Sequence, residues 1–240
     1  MRRITKTLIH EPGDLHIAVV EYGIVFSGNI CSKNVLQLHE SCSFFEGTIM
    51  STEEIKYEVE MLTDIISIDE YVSHFLDVDL FVSCCRQCPN YGTVWSCPPF
   101  DFEAADYWKE YDSFEVYLAR VIIDPAAREV VYGDDEINDI GRRVLQKEKN
   151  ALMKKLLKKE NAPDRISLLA GNCRLCGEGN CARKTNEPCR HPEKMRYSIE
   201  ALGGNVEKMI KELFGYEMLW AHNGRLPEYY LLTAGMLIRK

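Results

Sequence analysis

Eight of the ten cysteines of this 240-residue chain fall in two short windows, residues 84–97 and 173–189. That crowding limits the fold more than any other feature. A backbone that carries four sulfurs within seventeen residues and gathers them at one centre has to turn there. Small secreted scaffolds spread their cysteines along a short chain and pair them as disulfides. This chain is long, and Met1-Arg2-Arg3 is not followed by an apolar segment with a small-residue cleavage site. In a reducing compartment, thiols grouped this way serve metals. The expected location is cytoplasmic.

The second window carries the stronger signal. Cys173 and Cys176 form a Cys-x-x-Cys pair, Cys181 follows, and Cys189 comes after seven further residues. Such a pair presents two sulfurs on one tight turn, and Gly177 and Gly179 give the backbone freedom to wrap. Zinc and a [4Fe–4S] cluster both accept four cysteines. Structural zinc usually takes two separated Cys-x2–4-Cys knuckles, whereas three close cysteines and a more distant fourth are nearer to ferredoxin-type wrapping. Between residues 173 and 196, six Lys and Arg face three Glu, a local excess of +3 in a chain of net charge −8. Cations so placed favour an anionic thiolate centre, iron–sulfur or zinc alike.

In the first window Cys85, Cys88 and Cys97 form a trio, with Pro98 after the last as in the Cys-Pro ending of ferredoxin motifs. Three thiolates on a [4Fe–4S] cluster leave one iron open to water, a small molecule or a distant ligand. Cys84 is a candidate fourth ligand, but adjacent residues on an extended backbone point opposite ways, and a buried small side chain is the plainer reading. Tyr91 and Trp95 are expected to screen sulfur from water or to pack in the core.

The remaining sequence narrows the class. A net charge of −8 opposes general binding to nucleic acid or to an anionic membrane, and no apolar run approaches the ~18 residues of a bilayer span. No phosphate-cradling glycine loop, Gly-x-Ser-x-Gly elbow or HExxH pair occurs, so catalytic residues stay unassigned. His191 reads as a surface or hydrogen-bonding group, Cys31 and Cys42 as buried free thiols, and Ser198 and Glu200 as helix-packing residues rather than an anion site.

Periodicity predicts one or two strands in residues 15–31, then an extended run from Tyr57 to Ile68. A short helix follows over 69–76, with Ser67 as its cap. A helix over 101–111, a strand from Phe114 to Ile123 and a helix from Asp134 to about Lys159 come next. The lysines of that long helix read as a solvated face. A strand over 166–170 delivers the second window. Two short helices are expected, near Pro192–Leu202 and Val206–Phe214. A closing hairpin of Tyr216–His222 and Tyr229–Ile238 turns at Asn223-Gly224. The expected class is α/β or α+β: a mixed sheet flanked by helices, with cysteine-rich loops. Residues 1–50 are expected to form a strand-rich extension and residues 51–240 the cysteine-rich domain.

With both windows in view, the chain resembles a bacterial and archaeal family of cysteine-rich predicted metal-binding proteins. The resemblance rests on Cys85-x2-Cys88-Pro-Asn-Tyr-Gly, Trp95-Ser-Cys97-Pro-Pro, and Cys173-x2-Cys176-x4-Cys181-x7-Cys189-Arg with Pro192 and Ser198-Ile-Glu200-Ala-Leu-Gly203. It covers roughly residues 55–240 and implies cysteine-bound metal, iron–sulfur in kind, with no settled reaction. The expected protein is an iron–sulfur redox protein with one or two [4Fe–4S] clusters, for electron transfer with a partner protein or for small-molecule binding at an open iron. The alternative is a zinc-stapled binding module without redox activity.

Overall fold

The computed structural model describes residues 54–160, 163–177 and 179–239. The strands expected in residues 15–31, the 1–50 extension, Cys31 and Cys42 lie outside these residues.

Strand β1 (Tyr57–Ser67) leads into helix α1 (Ile68–Phe75), and the Ser67 hydroxyl accepts from the Glu70 N–H as the cap. Helix α2 (Val78–Cys85) follows, capped by Asp77, and carries the first cysteines. Next come α3 (Ala104–Lys109), β2 (Ser113–Ile123), the single turn α4 (Pro125–Glu129) and the 26-residue helix α5 (Asp134–Lys159). Strand β3 (Arg165–Leu168), helix α6 (Val206–Phe214) and strand β4 (Tyr229–Ile238) complete the order.

The strands form one sheet in the order β1-β2-β4-β3, antiparallel at every pairing rather than mixed. The class is α+β. Side chains alternate across β2: Phe114, Val116 and Leu118 face α1, α3 and α6, while Tyr117, Val121 and Ile123 face α5. On the first face, Trp108 is fully buried and stacks on Tyr71 at 4.3 Å, and its indole N–H donates to the Leu202 carbonyl at 2.9 Å. The edge strand β1 alternates Glu58 and Glu60 with Val59 and Met61 in a largely exposed run, and charges of this kind discourage edge-to-edge pairing.

Two expectations fail. Residues 192–199 are not helical, and Glu200–Leu202 makes only one 3-10 turn. The backbone there is committed elsewhere: the Leu169 N–H donates to the Tyr197 carbonyl at 2.7 Å, and Leu169 bridges Ser198 in parallel. The hairpin also does not form. Asn223 and Gly224 do adopt φ 52° and 72° in a two-residue turn, closed by the His222–Arg225 bridge. Residues 216–218, however, are held by side chains. The Tyr216 ring covers the Arg120 guanidinium at 4.7 Å and meets Tyr229 edge-on, and the Tyr229 hydroxyl donates to the Glu217 carbonyl.

One buried ion pair ties the end of α5 to β3 and to the segment after the second window. The Glu160 carboxylate receives Arg196 Nε at 3.0 and 3.1 Å, together with the N–H and hydroxyl of Ser167. The two charged side chains are only 8% and 13% exposed. Burial alone would raise the Glu160 pKa, but the hydrogen bonds from Arg196 and Ser167 outweigh it and hold the carboxyl below its ordinary value. A depressed carboxyl stabilises the fold above its unfolded pKa and loses that contribution as pH falls through the folded one. Glu160→Gln is expected to cost about 3 kcal/mol at neutral pH, because it strands Arg196. It should also flatten the loss of stability expected in thermal melts as pH falls below the ordinary carboxyl range.

Packing at the sheet centre yields a second expectation. Gly235 of β4 lies under the Phe114 ring, and an added Cβ would run into that ring. Gly235→Ala should destabilise the protein by about 1–3 kcal/mol, read as a lower denaturant midpoint at unchanged slope.

Candidate metal centre

The first window begins inside α2, so Cys84 and Cys85 stand on a helix rather than on the extended backbone expected for them. Successive helical residues diverge by about 100°. Cys84 therefore turns into the core at 3% exposure while Cys85 stays partly exposed. Tight turns then follow: Cys88 N–H donates to the Cys85 carbonyl, Tyr91 N–H to that of Cys88, and Cys97 N–H to that of Val94. The Asn90 N–H points at Cys88 Sγ at 3.4 Å, a contact that stabilises charge on sulfur. Burial pushes the Cys85 thiol up to about 12, with added repulsion from Cys97 and Cys88, and pushes Cys97 up to about 12 as well. The trio is thus gathered closely enough for its charges to be felt mutually. A metal that binds there must displace protons.

Strand β3 delivers the second window. Gly171, Gly177 and Gly179 take positive φ, and Cys181 caps a 3-10 turn over Ala182–Thr185. Cys173, Cys176, Cys181 and Cys189 all line one small cavity, together with His191, Trp95 and Ser96. Burial raises the Cys173 pKa, and Cys189, Cys176 and Cys181 raise it further. Among the described residues no three His, Cys, Asp or Glu side chains converge closely enough to hold a single metal ion.

The two windows are interlocked. Arg183 of the second window donates to the carbonyls of Val94 (2.9 Å), Cys97 and Pro99 of the first, and its guanidinium lies over the Trp95 ring at 4.9 Å. The Trp95 indole N–H donates to the Glu187 carbonyl at 3.0 Å. Trp95 also lines the cavity of the second cysteine set. Fully buried Ser96 accepts from the Cys173 N–H at 2.9 Å and reaches Cys97 Sγ at 4.0 Å.

Two buried charges lie nearby. Lys149 of α5 is not on the solvated face expected for it: its ammonium donates to the Asn172 carbonyl at 2.8 Å, and burial with repulsion from Arg174 lowers its pKa to about 8. Its position was readable, since 149 stands four residues after Leu145 and three before Leu152, on the apolar stripe. The Glu200 carboxyl is buried and raised, with one oxygen lacking a hydrogen-bond partner. Ser198 caps the turn through the Ala201 N–H.

Thiols from both windows, positive-φ glycines and Trp95 thus come together in one region of the fold. A family model described as a predicted metal-binding protein (DUF2284) matches residues 66–238, and the chain belongs to this family. No curated protein and no solved structure matches the chain. No helix among the described residues is long and apolar enough to cross a membrane.

Replacing Arg183 should loosen both windows at once. Arg183→Met removes a charged donor from three carbonyls and is expected to cost about 3 kcal/mol, with less metal retained on purification. Arg183→Lys should not restore it, because a point ammonium cannot span three acceptors as a planar fork does. Metal analysis and melting of the two variants check this; full metal content in Arg183→Met would refute the interlock.

Proposed function

We propose that this protein is an iron–sulfur redox protein of the reducing cytosol. Cys173, Cys176, Cys181 and Cys189 hold a closed [4Fe–4S] cluster. Cys85, Cys88 and Cys97 hold a second one, with one iron open to a small molecule or an outer ligand. A partner protein exchanges electrons with it. The observation that supports this reading is that Cys173, Cys176, Cys181 and Cys189 line one cavity, with the fourth cysteine set apart in sequence as in ferredoxin-type wrapping.

The surrounding residues suit that role. A bound cluster supplies a one-electron couple at each site. Trp95, Leu175 and Met195 line the tetrad cavity and limit water, and Arg183 sets positive charge near the Cys97 thiol. The Asn90 N–H and the Ser96 hydroxyl direct donors at Cys88 and Cys97, which favours the reduced, more negative state.

Protein made and purified without oxygen should be brown, bleach with dithionite, and contain iron and acid-labile sulfide in near-equal amounts. Cys176→Ser should remove the tetrad's share of the colour. Brief air exposure should strip the trio's cluster first, since an iron with only three thiolates exchanges ligands more readily. A colourless protein with about one zinc per four cysteines would replace this reading by the zinc-stapled module.

A further inference from the structure

A cleft of about 460 Å³ opens beside the second cysteine set, between α5 and the turn at Asn172–Gly177. This volume lies within the range of small-molecule sites. Its apolar wall is Met153, Leu157 and Leu169, and its polar wall carries three cations, Lys149, Arg174 and Lys194. Among the described residues, no carboxylate lines it. In a chain of net charge −8 that is a local inversion of sign, and such a wall concentrates anions.

Lys149 is the half-buried cation that α5 contributes. An ammonium carries three donors, and here one goes to the Asn172 carbonyl while no carboxylate among the described residues comes within ion-pair distance. The one carboxyl whose charge Lys149 feels, that of Glu200, lies beyond ion-pair distance, so the shielded cation is only partly offset and an anion entering the cleft lowers its cost. Beside it, Gln146 Oε1 and Asn172 Oδ1 are buried acceptors without a hydrogen-bond partner. Both also line the cleft, so a hydrogen-bond donor on the ligand next to its charge meets two waiting oxygens.

We infer that the cleft binds a small organic anion with an apolar body and a hydroxyl or amino group beside its charged end. The anionic group pairs with Lys149, the donor faces Gln146 and Asn172, and the apolar part lies on Met153 and Leu157. This assignment goes beyond the iron–sulfur reading and holds whichever metal the cysteines carry.

Calorimetric titration of the metal-loaded full chain tests it, with mandelate, phenylacetate (no hydroxyl) and neutral mandelamide as probes. Mandelate should bind one-to-one, phenylacetate more weakly, and mandelamide at least about tenfold more weakly than mandelate. Lys149→Gln keeps a donor for the Asn172 carbonyl and should weaken mandelate about tenfold while leaving mandelamide unchanged. Leu157→Trp fills the cleft from the exposed side of α5, keeps the cation and should abolish binding; it decides the matter if Lys149→Gln fails to fold. Equal binding of mandelate and mandelamide, absence of binding by all three, or unchanged affinity in a metal-replete Lys149→Gln would overturn the assignment. So would mandelate binding that shifts the visible band and survives both substitutions, which would place the anion on the metal. The zinc-loaded protein should bind mandelate as well as the iron-loaded one, so failure of the iron reading and failure of the cleft are told apart.

Discussion

Arg183 lays one planar cation against the Trp95 ring and across the carbonyls of Val94, Cys97 and Pro99, drawing together segments some 84–89 residues apart in sequence. Both windows are turn-rich, and turn carbonyls without partners are costly once shielded from water. The guanidinium satisfies three of them at once. Because Arg183 follows Cys181 by two residues, the position of the tetrad is fixed by the backbone that carries the trio. Neither window has a regular ladder of its own, so this cross-link and the Trp95–Glu187 bond do for the windows what β-pairing does for the sheet.

Charge is distributed to the same end. The acidic surplus lies largely away from the windows, on the β1 edge and the first turn of α5, while Arg174, Arg183, Lys184, Arg190, Lys194 and Arg196 stand around the second cysteine set. Arg196 is spent on Glu160 and Arg183 on carbonyls, so part of this positive field is locked in structure. The Glu160–Arg196 pair matters for position more than for net stability. It pins the end of the second window to the C-terminus of α5, where the helix dipole also favours a neighbouring cation.

Elements whose signal was local were legible in the sequence. The Ser67 cap, the acidic first turn and apolar stripe of α5 and the dense apolar run of β2 each carry their own physics within a few residues, and each element falls where it was read. Residues 192–202 and 216–222 were misread because their state is decided by distant partners: Leu169 and Tyr197 in one case, Arg120 and Tyr229 in the other. The cysteine spacing singled out the four thiols of the second window, and these line one cavity. It did not reveal Arg183, whose acceptors are backbone carbonyls and leave no mark on sequence. Lys149 was readable but misassigned, since a lysine on an apolar stripe was counted with its exposed neighbours. Cys84 was read on an extended backbone, and its burial follows instead from the helical offset of α2.

The shared serine shows how the two cysteine sets can influence each other without touching. Ser96 accepts from the Cys173 N–H, so its own hydrogen is available to Cys97 Sγ. While Cys97 is a thiol, either group can act as donor. Once Cys97 is a thiolate it can only accept, and the serine must donate. A hydroxyl that donates to an anion becomes a better acceptor, so its bond from the Cys173 N–H tightens. That bond holds the first residue of the tetrad. Deprotonating Cys97 therefore firms the backbone that positions Cys173. Because a hydrogen-bonded chain is reciprocal, ordering of the tetrad likewise favours the thiolate at Cys97. With Ser96 fully buried, no water competes for either link.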